Sequence, residues 1–175
     1  MLPHPVAIEG LGLRLREWTD ADLPVMTELF DDAEVDRWTP LPSPFDAAAA
    51  RAYLDQARAR RREGRAIELA VTTDGQTALG EILLFVTVQD GPVETFVELG
   101  YAIGAAHRGQ GLAGRAVRLM TGYAHEALGL RRVVLRINPA NAASVAVARK
   151  SGFHLTDDQP VVRREAELLT WCHES

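Results

Sequence analysis

Residues 107–120 read HRGQGLAGRAVRLM, a turn of glycines and arginines whose types and spacing suit the binding of phosphate groups. Two patterns overlap in it. Gly109, Gly111 and Gly114 spell GxGxxG, a dinucleotide fingerprint, whereas Arg108, Gly111 and Ala113 spell RxxGxA, a pattern that holds a cofactor pyrophosphate. Both rely on backbone N–H groups at the positive end of a helix, and glycine lets the main chain come close because no Cβ intervenes. The dinucleotide pattern must also follow the first strand of a parallel sheet, with an acidic residue about 20 positions on to grip a ribose. Here several strands precede the turn, and the next strand ends in LRIN without Asp or Glu. That context disfavours a dinucleotide-dependent oxidoreductase. The pyrophosphate pattern asks only for a strand, an amide-rich turn and a helix, to which Arg108 and Arg115 add charge-assisted bonds. On these residues alone it stands level with an ordinary glycine-rich strand-to-helix turn.

Other reactive side chains are few. Cys172 is the single cysteine, so no intramolecular disulfide and no CxxC pair can form. Histidines at 4, 107, 125, 154 and 173 are too scattered for a zinc spacing, and no metal is expected. Cys172 reads as a small buried hydrophobe, and His107 as part of the turn. The arginines of RARRREGR, near residue 60, complement a helix C-terminus and keep the surface soluble.

These residues need a frame. With 175 residues and 47% hydrophobic content, the chain suits one domain spanning 1–175. A net charge of -5 argues against nucleic acid as a whole-surface partner. No stretch approaches the 18 or so apolar residues of a membrane span, and the start lacks a leader pattern, so a cytoplasmic protein is expected. LRLREW, residues 13–18, alternates like a half-buried strand, and Thr19 with Asp22 opens a helix through Phe30 in the manner of a capping box. The three prolines of DDAEVDRWTPLPSPF break regularity before Asp46 caps a helix to about Glu63. AIELAVT and TALGEILLFVTV flank the turn TDGQ as a hairpin, and ETFVELGYAI follows a QDGP turn. A helix over 110–128 stops at Gly129; RRVVLRIN is a strand, NAASVAVARKSGF a short helix, and REAELLTWCH a last strand.

VELGYAIGAAHRGQGLAGRAVRLMTGYA and the following LRRVVLRINPANAASVAVARKSGF together resemble the GNAT superfamily of acyl-CoA-dependent N-acyltransferases. The similarity is strongest to the branch that acetylates the N-termini of ribosomal proteins. It extends from about Leu13 and is sharp between Glu98 and Phe153, where ELGY, RGQGLA, NAAS and KSGF stand in the family's order. The resemblance implies an α/β (α+β) fold, with a mixed, largely antiparallel central sheet, helices on both faces and a gap between two strands for the pantetheine arm. It implies acetyl-CoA as cosubstrate and a primary amine, a protein N-terminus or a small molecule, as acceptor; a homodimer is compatible with it.

Carried onto this chain, Tyr101, Ala102 and Ile103 offer backbone groups to the pantetheine, as an added strand would. Arg108, Gly109, Gln110, Gly111, Leu112, Ala113, Gly114 and Arg115 hold the pyrophosphate, and Asn141 binds the arm from the other side while capping a helix. An amine near pKa 10 needs a base. Glu98, sharing a strand face with the small Gly100 and Ala102, is the candidate. The family often places a Tyr, the acid for the leaving thiolate, seven residues after Asn141, but Ala148 stands there. A coenzyme A-binding module without catalysis therefore stays open. Ser144 matches a serine that some relatives use. The acidic segment Asp31, Asp32, Glu34 and Asp36 beside Trp38 would border the acceptor and suit a cationic amine.

Overall fold

The computed structural model describes residues 6–87 and 96–175. Nine strands form the sheet: β1 (Ala7–Gly10), β2 (Leu13–Glu17), β3 (Ala66–Thr72), β4 (Gly80–Thr87), β5 (Phe96–Ile103), β6 (Arg132–Ile137), β7 (His154–Leu155), β8 (Val161–Arg163) and β9 (Ala166–Glu174). Their order is β1-β2-β3-β4-β5-β6-β9-β7, with β8 paired to β9 off this path. Among the described pairings only β5–β6 is parallel. The proposed β4–β5 turn, QDGP, lies outside the described residues.

The alternation of side chains assigns each face a layer of helices. Helices α1 (Leu23–Phe30), α2 (Ala33–Trp38) and α3 (Ala47–Arg62) cover one face, where Trp18, Met26, Phe30, Phe45, Leu54 and Ala102 share a core cluster. Helices α4 (Leu112–Glu126) and α5 (Ala142–Lys150) cover the other, where Leu69, Ile82, Leu99, Met120, Leu135 and Ala148 pack together. Strand β3 is buried throughout because both layers press on it.

Local chemistry sets the ends. Asp22 accepts hydrogen bonds from the Thr19 amide (2.8 Å) and hydroxyl (3.0 Å), as the capping-box spacing implies, but a 3-10 turn at Asp20–Asp22 precedes α1. Asp46 caps α3 through the Ala49 amide at 2.9 Å. Gly64, Gly129 and Gly152 follow α3, α4 and α5 with φ of 68°, 66° and 86°, the left-handed conformation a helix stop favours. The irregular stretch after Phe30 contains α2, which Asp32 caps through the Glu34 and Val35 amides.

Candidate active site

Strands β5 and β6 part company midway. Their parallel pairing holds only Val97↔Val133, Glu98↔Val134 and Leu99↔Leu135, while β5 stays paired to β4 as far as Ile103↔Gly80. Beyond Leu99, the β6 side of β5 therefore faces a gap. Gly100, Tyr101, Ala102 and Ile103 line it from one side and Arg136 and Ile137 from the other.

The glycine turn lies at the top of this gap. Gly109 and Gly111 have φ of 76° and 72°, and a Cβ built on either, or on Gly114, would meet no protein atom within 4 Å. The first α4 amide to find a carbonyl within the turn is that of Arg115, on Gly111 O at 3.1 Å. The amides of Gly109, Gln110, Gly111, Leu112, Ala113 and Gly114 have no acceptor among the described residues. Six free donors around open space at a helix N-terminus are the setting a pyrophosphate requires, so the residues present fit the coenzyme. Leu112 contributes only its amide, since its side chain is buried in the core, and Ala113 is partly buried against it.

The two arginines of the turn act differently from expectation. Arg108 donates to Ile103 O at 3.1 Å and pairs with Asp32 at 2.5 Å, and this guanidinium holds the Asp32 carboxyl below its usual range. Arg115 folds back onto Gln110 O (3.2 Å) and Leu11 O (3.1 Å). Both brace the turn. Their charge stays at its rim, but their hydrogen bonds are already engaged with protein.

Because side chains alternate, Tyr101 points to the α4–α5 face and Glu98 to the α1–α3 face. The Tyr101 hydroxyl donates to Ser144 Oγ at 2.9 Å, bridging the gap from β5 to the first turn of α5. Burial raises the Tyr101 phenol above its ordinary value, so it stays protonated at neutral pH. Asn141 Oδ1 caps α5 through the Ser144 amide at 3.1 Å. Ser144 and Ala148 lie one turn apart on one face of α5, and Ala148 is buried in the core. Sequence reasoning found both Tyr101 and Ser144 but not their contact, since 43 residues separate them.

Glu98 is not the free carboxylate that its small neighbours suggested. Arg163 Nη1 and Nη2 donate to its two oxygens at 2.6 and 2.8 Å, and Arg136 Nε lies 3.7 Å away. While that pair stands, each oxygen already accepts a bond. Three residues of the acidic segment are likewise committed: Asp31 accepts from the Phe45 amide at 3.0 Å, Asp32 serves α2 and Arg108, and Glu34 accepts from Trp38 Nε1 at 2.7 Å. Asp36 is exposed and makes no side-chain hydrogen bond among the described residues, and of the four acids only Asp32 is paired with a cation.

Glu81 is a further carboxylate that the sequence did not single out. Buried opposite Ala102, it accepts from Tyr53 Oη (2.6 Å) and Trp18 Nε1 (3.0 Å), and desolvation pushes its pKa up to about 8. A lone Glu in GEILLF was the available signal. No group of three or more His, Cys, Asp or Glu side chains among the described residues is placed to hold a metal ion, and no described helix is long and apolar enough to cross a membrane.

Comparison with known proteins identifies the family and the fold. Residues 12–154 match the family described as the acetyltransferase (GNAT) domain. The L-methionine sulfoximine/L-methionine sulfone acetyltransferase of Pseudomonas paraeruginosa is 32% identical over 158 residues, 87% of this chain and 86% of that protein. YjcK of Bacillus subtilis is 34% identical over 83 residues, so the match spans less than half of either chain, 47% of this one and 45% of that one. Among solved structures, RimL, a ribosomal L7/L12 alpha-N-protein acetyltransferase in complex with coenzyme A, superposes with a TM-score of 0.82 at 16% identity, covering 97% of this chain and 98% of that one.

Proposed function

The chain belongs to the acetyltransferase (GNAT) family, and from that premise we propose that acetyl transfer takes place in the gap between β5 and β6, onto the primary amine of a small molecule or a protein N-terminus. The protein is an acetyl-CoA-dependent N-acetyltransferase. The free amides of 109–114 carry the reading of the site. The two kinds of acceptor are those given by the names of the Pseudomonas relative and of RimL. The dinucleotide alternative does not fit, because the glycine turn follows β5 of a mainly antiparallel sheet.

Acetyl-CoA supplies the activated acetyl group. Gly109 to Gly114 bind its pyrophosphate, and the unpaired edge of β5 from Gly100 to Ile103 offers backbone groups to the arm. The amine nitrogen forms a bond to the thioester carbon, the carbon–sulfur bond breaks, and sulfur leaves as thiolate. Nitrogen therefore loses two protons, one before attack and one once the carbon–nitrogen bond has formed, and sulfur takes up one; the second nitrogen proton passes through solvent to restore the group that protonates sulfur, and one proton is released overall. Glu98 accepts the first, on the α1–α3 face, once its bond to Arg163 relaxes. Tyr101, relayed by Ser144, supplies the proton for sulfur from the α4–α5 face. Where the family resemblance leads one to expect a Tyr, Ala148 is buried in the core, and the phenol stands on β5 instead.

The test is thiol release from acetyl-CoA with a panel of amines and N-terminal peptides, alongside calorimetry. We expect turnover, and we expect Gly111→Val to weaken coenzyme binding by about a hundredfold, since it strains a left-handed residue and fills the ligand's space. No heat with either form of the coenzyme would refute the site.

A further inference from the structure

Arg136 occupies an expensive position. It is the first β6 residue past the last β5–β6 pair, on the same face as Glu98, and its side chain is only 16% exposed. None of its N–H groups makes a hydrogen bond among the described residues; Nε is buried, and Glu98 Oε2, at 3.7 Å, pairs with it in charge but is too far to accept a hydrogen bond. The Phe96 ring flanks it, with Cζ 5.8 Å from the centroid. A buried guanidinium that lacks acceptors costs free energy unless something brings them. Beside it lies a cavity of about 280 Å³, bordered by Phe96, Arg132, Arg136, Asp158 and Val161. That volume is at the small end for ligand pockets.

We propose that the acceptor is a small zwitterion of the α-amino acid class, whose carboxylate is held by Arg136 and Arg163 while its ammonium faces Glu98. The proposal rests on the assignment of the β5–β6 gap as the place of acetyl transfer. Charge supports it. Arg132 is balanced by Asp158 at 2.6 Å, but Arg136 and Arg163 share one Glu98, which leaves a positive surplus at the mouth of the gap. Of the acidic segment, Asp32 is paired with Arg108. A polycation meets repulsion here, whereas a zwitterion matches both signs. As its carboxylate takes N–H groups from Arg163 and Arg136, an oxygen of Glu98 is released at the ammonium that must lose a proton. Acetylation then removes the positive charge, so the product loses its attraction to Glu98 and leaves.

The experiment compares free L-amino acids with their α-carboxamides at saturating acetyl-CoA, and titrates both into the coenzyme A complex by calorimetry. The free acids should show kcat/KM higher by about tenfold to a hundredfold, the range expected for bonds to a charged group. Arg136→Gln should erase that preference through KM with coenzyme A affinity unchanged, and Arg136→Lys should retain part of it. Equal or better use of the amides by the wild-type protein overturns the proposal, whatever the variants do. So does a coenzyme A complex that binds no free amino acid. Loss of coenzyme A binding itself would instead strike the site on which the proposal rests.

Discussion

The Tyr101–Ser144 bridge is the contact on which the leaving-group chemistry depends. Replacing Tyr101 by Phe removes one hydroxyl and leaves the ring, the β5 backbone and the glycine turn in place. We expect kcat to fall by about tenfold to a hundredfold, within the range of a positioned acid, with coenzyme A affinity preserved in calorimetry. An unchanged kcat would return the search for the acid to solvent. At this scale the sequence disclosed residue types but not their engagements. Glu98, Arg108 and Asp32 were each legible as charged groups near a site. Their pairing depends on partners 65 and 76 positions away, which no local pattern encodes. Gly109 and Gly111 were fully legible, because a left-handed turn leaves little choice of residue.

Elements were read more accurately where one strong local signal set their ends. Asp46 and Gly64 bracket α3 as their chemistry demands, whereas α2, six residues among acids and prolines, was missed because no apolar period fits so short a helix. Strands β7 and β8 escaped notice for the same reason, having two and three residues. A contact between elements yields the next prediction. His173 of β9 has Nδ1 3.0 Å from His125 Nε2 of α4, and burial, followed by the charges of His125 and His154, lowers its pKa. The unfolded chain thus takes up the proton first as pH falls below about 6.5, so stability is full above that value and declines beneath it. The effect is read as a difference between wild type and His173→Gln, because Glu81 acts with the opposite sign in the same range: the wild-type Tm should lose ground to the variant between pH 6.5 and 5, by about 3 °C for each kcal/mol in a chain of this size.

Across the whole molecule, patterning supplied the individual strands and helices and the antiparallel run of the middle strands, while the mixed sheet with helices on both faces followed from the family resemblance. What patterning could not supply was the parting of β5 from β6, because the alternation of side chains reports which face of a strand is buried and not where its pairing with a neighbour ends. The other whole-molecule consequence of burial is Glu81. Its folded pKa of about 8, well above the ordinary carboxyl value, means that the native state holds the proton more tightly than the unfolded chain. Its contribution is therefore greatest below about pH 4.5 and is lost progressively as pH rises towards 8. Glu81→Gln can still accept from Trp18 Nε1 and, through its amide N–H, donate to Tyr53 Oη where Glu81 accepts from it, and it should flatten the decline in Tm between pH 5 and 8.5. A slope as steep as that of the wild type would show that Glu81 is ionised in the native protein.

A sheet stitched in its interior by only three residue pairs is, in mechanical terms, two panels on a short hinge, with β1–β5 on one and β6–β9 on the other. A molecule wedged into the open end of that hinge and bonded to both panels becomes a cross-tie. Occupancy by the thiol carrier should then stiffen the architecture as a whole and not merely the pocket it fills.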